Sequence, residues 1–233
     1  MYPVTFVSLG PGDPELITMK ALKALQAADC IFYPSTQSKD GTESSRARDI
    51  LDVYHLPQTA LHSFHVPMSK NREAAIEAYR QVSIEVEEMY NDNKRVAVVA
   101  EGDAGFYSSI HYIYDNLSAK QIPIQLVAGV PAFIACGALA GIHIVKQEEE
   151  LHVVPGTISP DDLLQRLDDG KVIVIMKVSQ CEAVVKQAIE ARPDVFFHYF
   201  ENAGVDGKEY YTHDGQAVLE RKFPYFSIII MHK

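Results

Sequence analysis

The hexapeptide RVAVVA at positions 95–100 is apolar at every position after its arginine. Successive side chains of a strand point to opposite faces of a sheet, so a strand that is apolar throughout must be covered on both sides. That is the situation of a parallel sheet flanked by helices. The surrounding pattern agrees. PVTFVSL (3–9) is β-branched and apolar, ends at a glycine turn, and precedes a predicted helix with Asp13 as N-cap and Pro14 as its first residue. CIFYP (30–34) and HSFHVP (62–67) read as further strands. Ala75, Tyr79, Val82, Val86 and Met89 recur at helical spacing within 70–91. A helix near 106–118, a strand IPIQLVAGV (122–130) and a small-residue helix Ala132–Leu139 complete this part.

The second half changes character. LHVVP, KVIVIM, VFFHYF, QAVLERK and YFSIIIM read as strands that follow closely on one another, with helical patterns only near 160–169 and 180–191. This predicts a mixed sheet. The fold class is therefore α/β, with two α/β domains at 1–120 and 121–233, the first mostly parallel and the second mixed. A cleft between them is the default ligand site.

Composition narrows the partners. With 233 residues and a formal net charge of −10, the chain lacks the basic face that a nucleic acid requires, so a small-molecule partner is expected. Cys30, Cys136 and Cys181 are far apart and form no C-x-x-C pair, which predicts buried thiols in a cytoplasmic protein. No apolar run approaches the length of a membrane span, and no secretory leader is expected. His62 and His65 form H-x-x-H on a predicted strand, where residues three apart point to opposite faces, so no protein metal site is expected there.

The stretch SLGPGDPELITMKAL (8–22) sits where nucleotide-binding proteins carry a glycine loop. Gly10 and Gly12 match the first two glycines of the dinucleotide fingerprint, but the third position holds Glu15, whose charge would repel a pyrophosphate. The Gly-Lys-Ser/Thr ending of a P-loop is also missing. The loop needs an explanation other than phosphate binding.

Several blocks carry a family resemblance. VSLGPGDPELITMKALKALQAADCIFYP resembles the opening signature of the tetrapyrrole methylases, which use S-adenosylmethionine in corrin and sirohaem synthesis. VAVVAEGDAGFYSSIHYIYDNL (96–117) is similar to the Glu-Gly-Asp-Pro-Phe-Phe-Tyr block of the branch that methylates precorrin-2 at carbon 20. IQLVAGVPAFIACGALAGI and PYFSIIIM resemble two later blocks. The resemblance implies a homodimeric enzyme acting on precorrin-2 or cobalt-factor II, with S-adenosylhomocysteine as product and any metal carried inside the substrate.

By the same resemblance Pro11, Glu101, Gly102, Asp103, Phe106, Ala132, Phe133, Met176, Ala203, Phe226 and Ser227 line the cofactor, Asp103 offering a carboxylate to its amino-acid portion. Gly10, Gly12 and Asp13 face the macrocycle. Asp103 could equally serve as a helix N-cap, and Met176 and Phe226 as core. Ala104 and Ala128 stand where the family has proline, and Pro131-Ala132 where it prefers hydroxyl residues, so backbone contacts are expected to replace side-chain ones.

An activated sulfonium methyl needs alignment more than a protein nucleophile. Glu101 and Tyr107 are candidates for a base that removes the proton from the methylated carbon. The polar stretch STQSKDGTESSRAR (35–48) is expected to be a loop that is mobile without substrate, with Arg46 and Arg48 meeting the substrate's carboxylates. Two alternatives stay open: another methylase of the family, such as the uroporphyrinogen III enzyme, and a tetrapyrrole-binding module without catalysis.

Overall fold

A computed structural model describes residues 1–37, 43–67 and 72–233. It divides into two compact units, Met1–Pro131 and Ala132–Lys233. The strand expected at 122–130 pairs with the first strand of the chain, which carries the first unit past the boundary of 120 read from sequence.

The first unit is built on β1 (Val4–Ser8), β2 (Cys30–Gln37), β3 (Glu43–Ser44), β4 (Leu61–His65), β5 (Val96–Ala100) and β6 (Ile124–Val127). Five of these run parallel in the order β4-β2-β5-β1-β6, and the two-residue β3 pairs antiparallel with the far end of β2. Among the described residues four α-helices accompany the sheet: α1 (Met19–Ala27), α2 (Arg46–Val53), α3 (Arg72–Asn91) and α4 (His111–Ala119).

The continuous apolarity of β5 is used as its sequence implies. Val96, Val98 and Ala100 join Phe6, Phe32 and the inner faces of α3 and α4 in one core. Ala97 and Val99 join Val7, Ile31 and the inner faces of α1 and α2 in a second core on the opposite side. All five residues of β5 are buried.

Two local expectations change. Asp13 does cap a turn, accepting from the Glu15 amide at 2.8 Å, but Pro14–Leu16 forms a short 3-10 turn that ends at an extended Ile17. The α-helix starts afresh at Met19, capped by Thr18. Likewise, the expected loop at 35–48 is largely structured. Ser45 anchors the start of α2, donating to the Pro34 carbonyl at 2.6 Å and accepting from the Arg48 amide at 3.0 Å, so Arg46 and Arg48 lie on a helix. The centre of that stretch, 38–42, lies outside the described residues.

The second unit contains α5 (Ala132–Ala140), β7 (Leu151–Val154), α6 (Pro160–Asp168), β8 (Val172–Met176), α7 (Glu182–Ala191), β9 (Phe196–Glu201), β10 (Tyr210–Thr212), α8 (Gly215–Glu220) and β11 (Ser227–His232). Its sheet has the order β10-β9-β11-β8-β7 and is mixed, because β7 and β8 are parallel and the other pairs antiparallel. Ile173, Ile175, Tyr199, Ile229 and Met231 pack one face against α6, α7 and α8.

QAVLERK, expected as a strand, is instead mostly α8. Asp214 caps that helix by accepting from the Gln216 amide at 2.9 Å, and Val218 supplies its single buried side chain. Tyr210–Thr212 is a strand too short for its pattern to register in the sequence.

Candidate functional site

In open α/β sheets ligands meet the loops at the carboxyl ends of the strands. In the first unit three such loops, after β1, β5 and β6, are tied into one assembly. Gly10 and Gly102 form an isolated antiparallel bridge, with the Gly102 amide donating to the Gly10 carbonyl at 2.6 Å and the Gly10 amide returning a bond at 3.1 Å. The fully buried Ser8 spans all three loops. Its hydroxyl donates to the Val127 carbonyl at 2.6 Å and accepts from the Ala104 amide at 2.8 Å.

Asp103 completes the brace. One carboxylate oxygen accepts from the Gly129 amide at 2.7 Å and the other from the Gly105 amide at 2.8 Å. Both oxygens therefore shape the turn, which makes Asp103 a brace between loops as well as a candidate ligand contact.

Glycine is required at two points of this assembly. A Cβ on Gly129 would lie 2.3 Å from the Ser8 Cβ and 2.7 Å from the Gly102 carbonyl oxygen, which a packed backbone does not allow. Gly102 has φ +68°, and a Cβ there would meet nothing within 4 Å. Its α-carbon thus opens onto free space. Pro11 is buried and Gly12 and Asp13 are half-buried on the neighbouring turn, which is tied to α2 by Tyr54, whose hydroxyl donates to the Pro14 carbonyl at 2.7 Å. Burial and the nearby Asp13 push the Tyr54 hydroxyl up to about 12, so it remains a donor.

Glu101 precedes the Gly102 turn and is half-buried. Among the described residues no donor reaches its carboxylate within hydrogen-bonding distance. Burial pushes its pKa up, Arg46 of α2 opposes that rise and Asp49, three residues further along the helix, adds to it. Arg46 is itself desolvated and interacts electrostatically with Glu101 and Asp49. Arg48 faces elsewhere: it pairs with Asp52 at 2.8 Å, donates to the Tyr33 hydroxyl at 3.3 Å and to the Gln58 side chain. Of the two arginines singled out from sequence, Arg46 is the one that acts electrostatically on a residue of the carboxyl-end loops, Glu101.

Phe106 and Tyr107 follow the turn, with rings edge-to-face at 4.7 Å. Tyr107 adopts φ +50°, an uncommon conformation for a bulky residue, and its half-exposed ring helps line a cavity of about 300 Å³ with Phe6, His111, Tyr114 and Leu126.

In the second unit, Met176, Ala203, Phe226 and Ser227 lie at or just beyond one end of the three central strands β8, β9 and β11. Met176 ends β8 opposite Ile228, Ser227 pairs with Glu201, and the Asn202 amide donates to the Phe226 carbonyl at 2.9 Å. Phe226 is 41% exposed rather than packed into the core, and Ser227 is buried with its hydroxyl on the Pro224 carbonyl at 2.5 Å. Ala132 and Phe133 open α5, the first half-buried and the second buried.

Sequence reasoning missed Ser8, Gly129 and Asp49. The signals were modest: a serine closing an apolar strand, and a glycine after β6 in a turn whose closeness to Ser8 depends on strand order. Among the described residues no three His, Cys, Asp or Glu side chains gather as they would around a metal ion, and no helix is long and apolar enough to cross a membrane.

Comparison with known proteins agrees with this architecture. Over 97% of its length the chain is 29% identical to a precorrin-2 C(20)-methyltransferase from Sinorhizobium sp, covering 93% of that protein. It is 26% identical to a cobalt-precorrin-2 C(20)-methyltransferase from Salmonella typhimurium, again over 97% of the chain and 94% of the relative. Among solved structures, cobalt precorrin-4 methyltransferase superposes with a TM-score of 0.70 at 17% identity, over 98% of this chain and 94% of that one. The uroporphyrin-III C-methyltransferase of Thermus thermophilus, in complex with S-adenosylhomocysteine, gives 0.67 at 15% identity, over 100% and 98%. The profile of one family, Tetrapyrrole (Corrin/Porphyrin) Methylases, matches residues 3–217, and with the parallel first sheet, its glycine-braced loops and the mixed second sheet in place, the chain belongs to that family.

Proposed function

We propose that the protein is an S-adenosylmethionine-dependent methyltransferase that methylates precorrin-2 or cobalt-factor II at carbon 20 during corrin synthesis. The observation that carries the reading is the end-to-end similarity to two relatives named for methylation at that carbon. A homodimeric state, a cytoplasmic location and a metal that enters only with the substrate belong to the same proposal.

The first unit's loops fit such a cofactor. Gly102 leaves open space where a side chain would stand, and the rigid bridge to Gly10 fixes the main chain around it. Bound there, S-adenosylmethionine supplies a sulfonium methyl whose leaving group is a neutral thioether. The protein's own task is alignment, which a hydrogen-bonded turn performs with little reorganisation. In this reading Pro11, Glu101 through its main chain, Gly102, Asp103 and Phe106 form the first unit's cofactor contacts, and Gly10, Gly12, Asp13 and Arg46 serve the macrocycle. For the second unit the proposal assigns cofactor contacts to Ala132, Phe133, Met176, Ala203, Phe226 and Ser227. Arg46 also eases the mismatch between a carboxylate-rich substrate and a chain of net charge −10.

The test is calorimetric titration with S-adenosylhomocysteine, followed by turnover on metal-free and cobalt-containing substrates, with the new methyl located by mass and NMR. One molecule should bind per chain, and Gly102→Val should abolish binding, because valine strains a positive-φ turn and fills the opening. Undiminished affinity in a folded Gly102→Val protein would move the cofactor elsewhere. Methylation at carbons 2 and 7 of uroporphyrinogen III in place of carbon 20 would assign the chain to another branch of the family.

A further inference from the structure

The first unit places one carboxylate differently from the others at its loop edge. Asp103 has both oxygens committed to loop amides, and Asp13 accepts from the Glu15 amide. Glu101 lies between the end of β5 and the Gly102 turn with no donor on it among the described residues. The charged groups that act on it are Arg46 and Asp49, both on α2. Their placement is fixed by the fold: Ser45 pins the start of α2 to the Pro34 carbonyl of β2, and β2 pairs directly with β5.

Arg46 is the first residue of α2, where the helix dipole disfavours a cation, and it is desolvated as well. Glu101 and Asp49 are two anions that act on this guanidinium. Burial without hydrogen-bond donors makes the carboxylate more basic, while Arg46 keeps it available in the ionised form. That balance suits a group that exchanges a proton.

Resting on the carbon-20 reading above, we propose that Glu101 accepts the proton released from carbon 20 and that Arg46 is its positioning residue. As the methyl transfers, the bond from carbon 20 to the methyl forms and the methyl–sulfur bond breaks, its electron pair staying on sulfur. The carbon-20–hydrogen bond then breaks. Its pair restores the conjugation of the macrocycle, and the proton passes to an oxygen of Glu101. The sulfonium charge and the carboxylate charge are both neutralised, so no further reactant is needed. Glu101 immediately precedes the turn proposed to hold the methyl donor.

The experiment uses the full chain and separates the roles. Glu101→Gln should lower kcat at least about 100-fold while S-adenosylhomocysteine affinity stays within about threefold. Arg46→Gln should move the acidic limb of the pH–kcat profile to higher pH, because Glu101 loses the cation that favours its ionised form, and Arg46→Lys should move it back. Circular dichroism and thermal melts establish that each variant is folded. A Glu101→Gln enzyme that turns over within threefold of the parent, or that loses S-adenosylhomocysteine binding, overturns the base assignment. An unmoved acidic limb in Arg46→Gln overturns the positioning role. A parent enzyme that methylates neither substrate at carbon 20 overturns the functional reading itself, and the readouts differ, so the two failures are not confused.

Discussion

Glu101 and Glu201 each sit at the carboxyl end of a strand, one in each unit, and their surroundings are opposite. Glu201 is buried and fully engaged. It accepts from the Tyr199 hydroxyl at 2.8 Å and from Arg221 at 2.5 and 3.0 Å, while the Arg221 guanidinium lies 3.6 Å above the Tyr210 ring. Burial, with the Glu201 bond in second place, pushes the Tyr199 hydroxyl far up, so it stays a donor. Glu101 has an arginine within electrostatic reach and no such network. A carboxylate with its lone pairs satisfied holds a fold together, whereas one that is desolvated and under-bonded can exchange a proton.

The largest effect should come from breaking the satisfied site. Glu201→Ala leaves the Tyr199 hydroxyl in the core and Arg221 without its bidentate partner, and should cost about 3 kcal/mol in denaturant unfolding. A loss within experimental error would mean that Glu201 is no brace and that the contrast with Glu101 is empty. Next in size is Gly129→Ala, which drives a methyl into Ser8 and the Gly102 carbonyl. It should cost about 2 kcal/mol by overpacking and weaken S-adenosylhomocysteine binding through the displaced turn. Unchanged stability would show that the loop assembly beside Glu101 is softer than its contacts imply.

The smallest effect on stability, and the one that sharpens the comparison most, is that of Glu101→Gln. Burial raises the folded-state pKa of Glu101, so the native protein holds this proton more tightly than the unfolded chain. Its contribution is therefore fully present below the unfolded-state value near 4.3 and is lost as pH rises through the folded-state value. Glutamine mimics the protonated form. Melts across a pH series should show equal stability in acid and a gain for Glu101→Gln toward neutrality. A loss of stability at neutral pH would make Glu101 a structural residue like Glu201.

Much of the fold was legible because its signals are local. The unbroken apolarity of RVAVVA implied helices on both faces of a parallel sheet, and β5 is buried on both faces. The closely spaced strands of the second half implied a mixed sheet. Failures arose where two local signals competed. Asp13 and Pro14 carry helix-start chemistry but begin only a 3-10 turn, because Ile17 is extended and Thr18 caps the true helix. The cap at Asp214 outweighed the strand-like reading of QAVLERK. The polarity of 35–48 suggested a loop, yet Ser45 supplies an N-cap and the arginines are helical.

By itself the sequence determined the class of each sheet, the order of nearly all the elements and the glycine turns that end β1 and β5, since these depend on side-chain pattern and on backbone freedom within a few residues. Tertiary structure alone decided what the charged groups at those turns do. The Ser8 bond to Val127 joins residues 119 apart, Asp103 reaches Gly129 across 26, and Arg46 acts on Glu101 electrostatically from a helix whose start is pinned to β2, the neighbour of β5. Those contacts follow from strand order, and it is they that leave Glu101 with a cation nearby and no donor upon it.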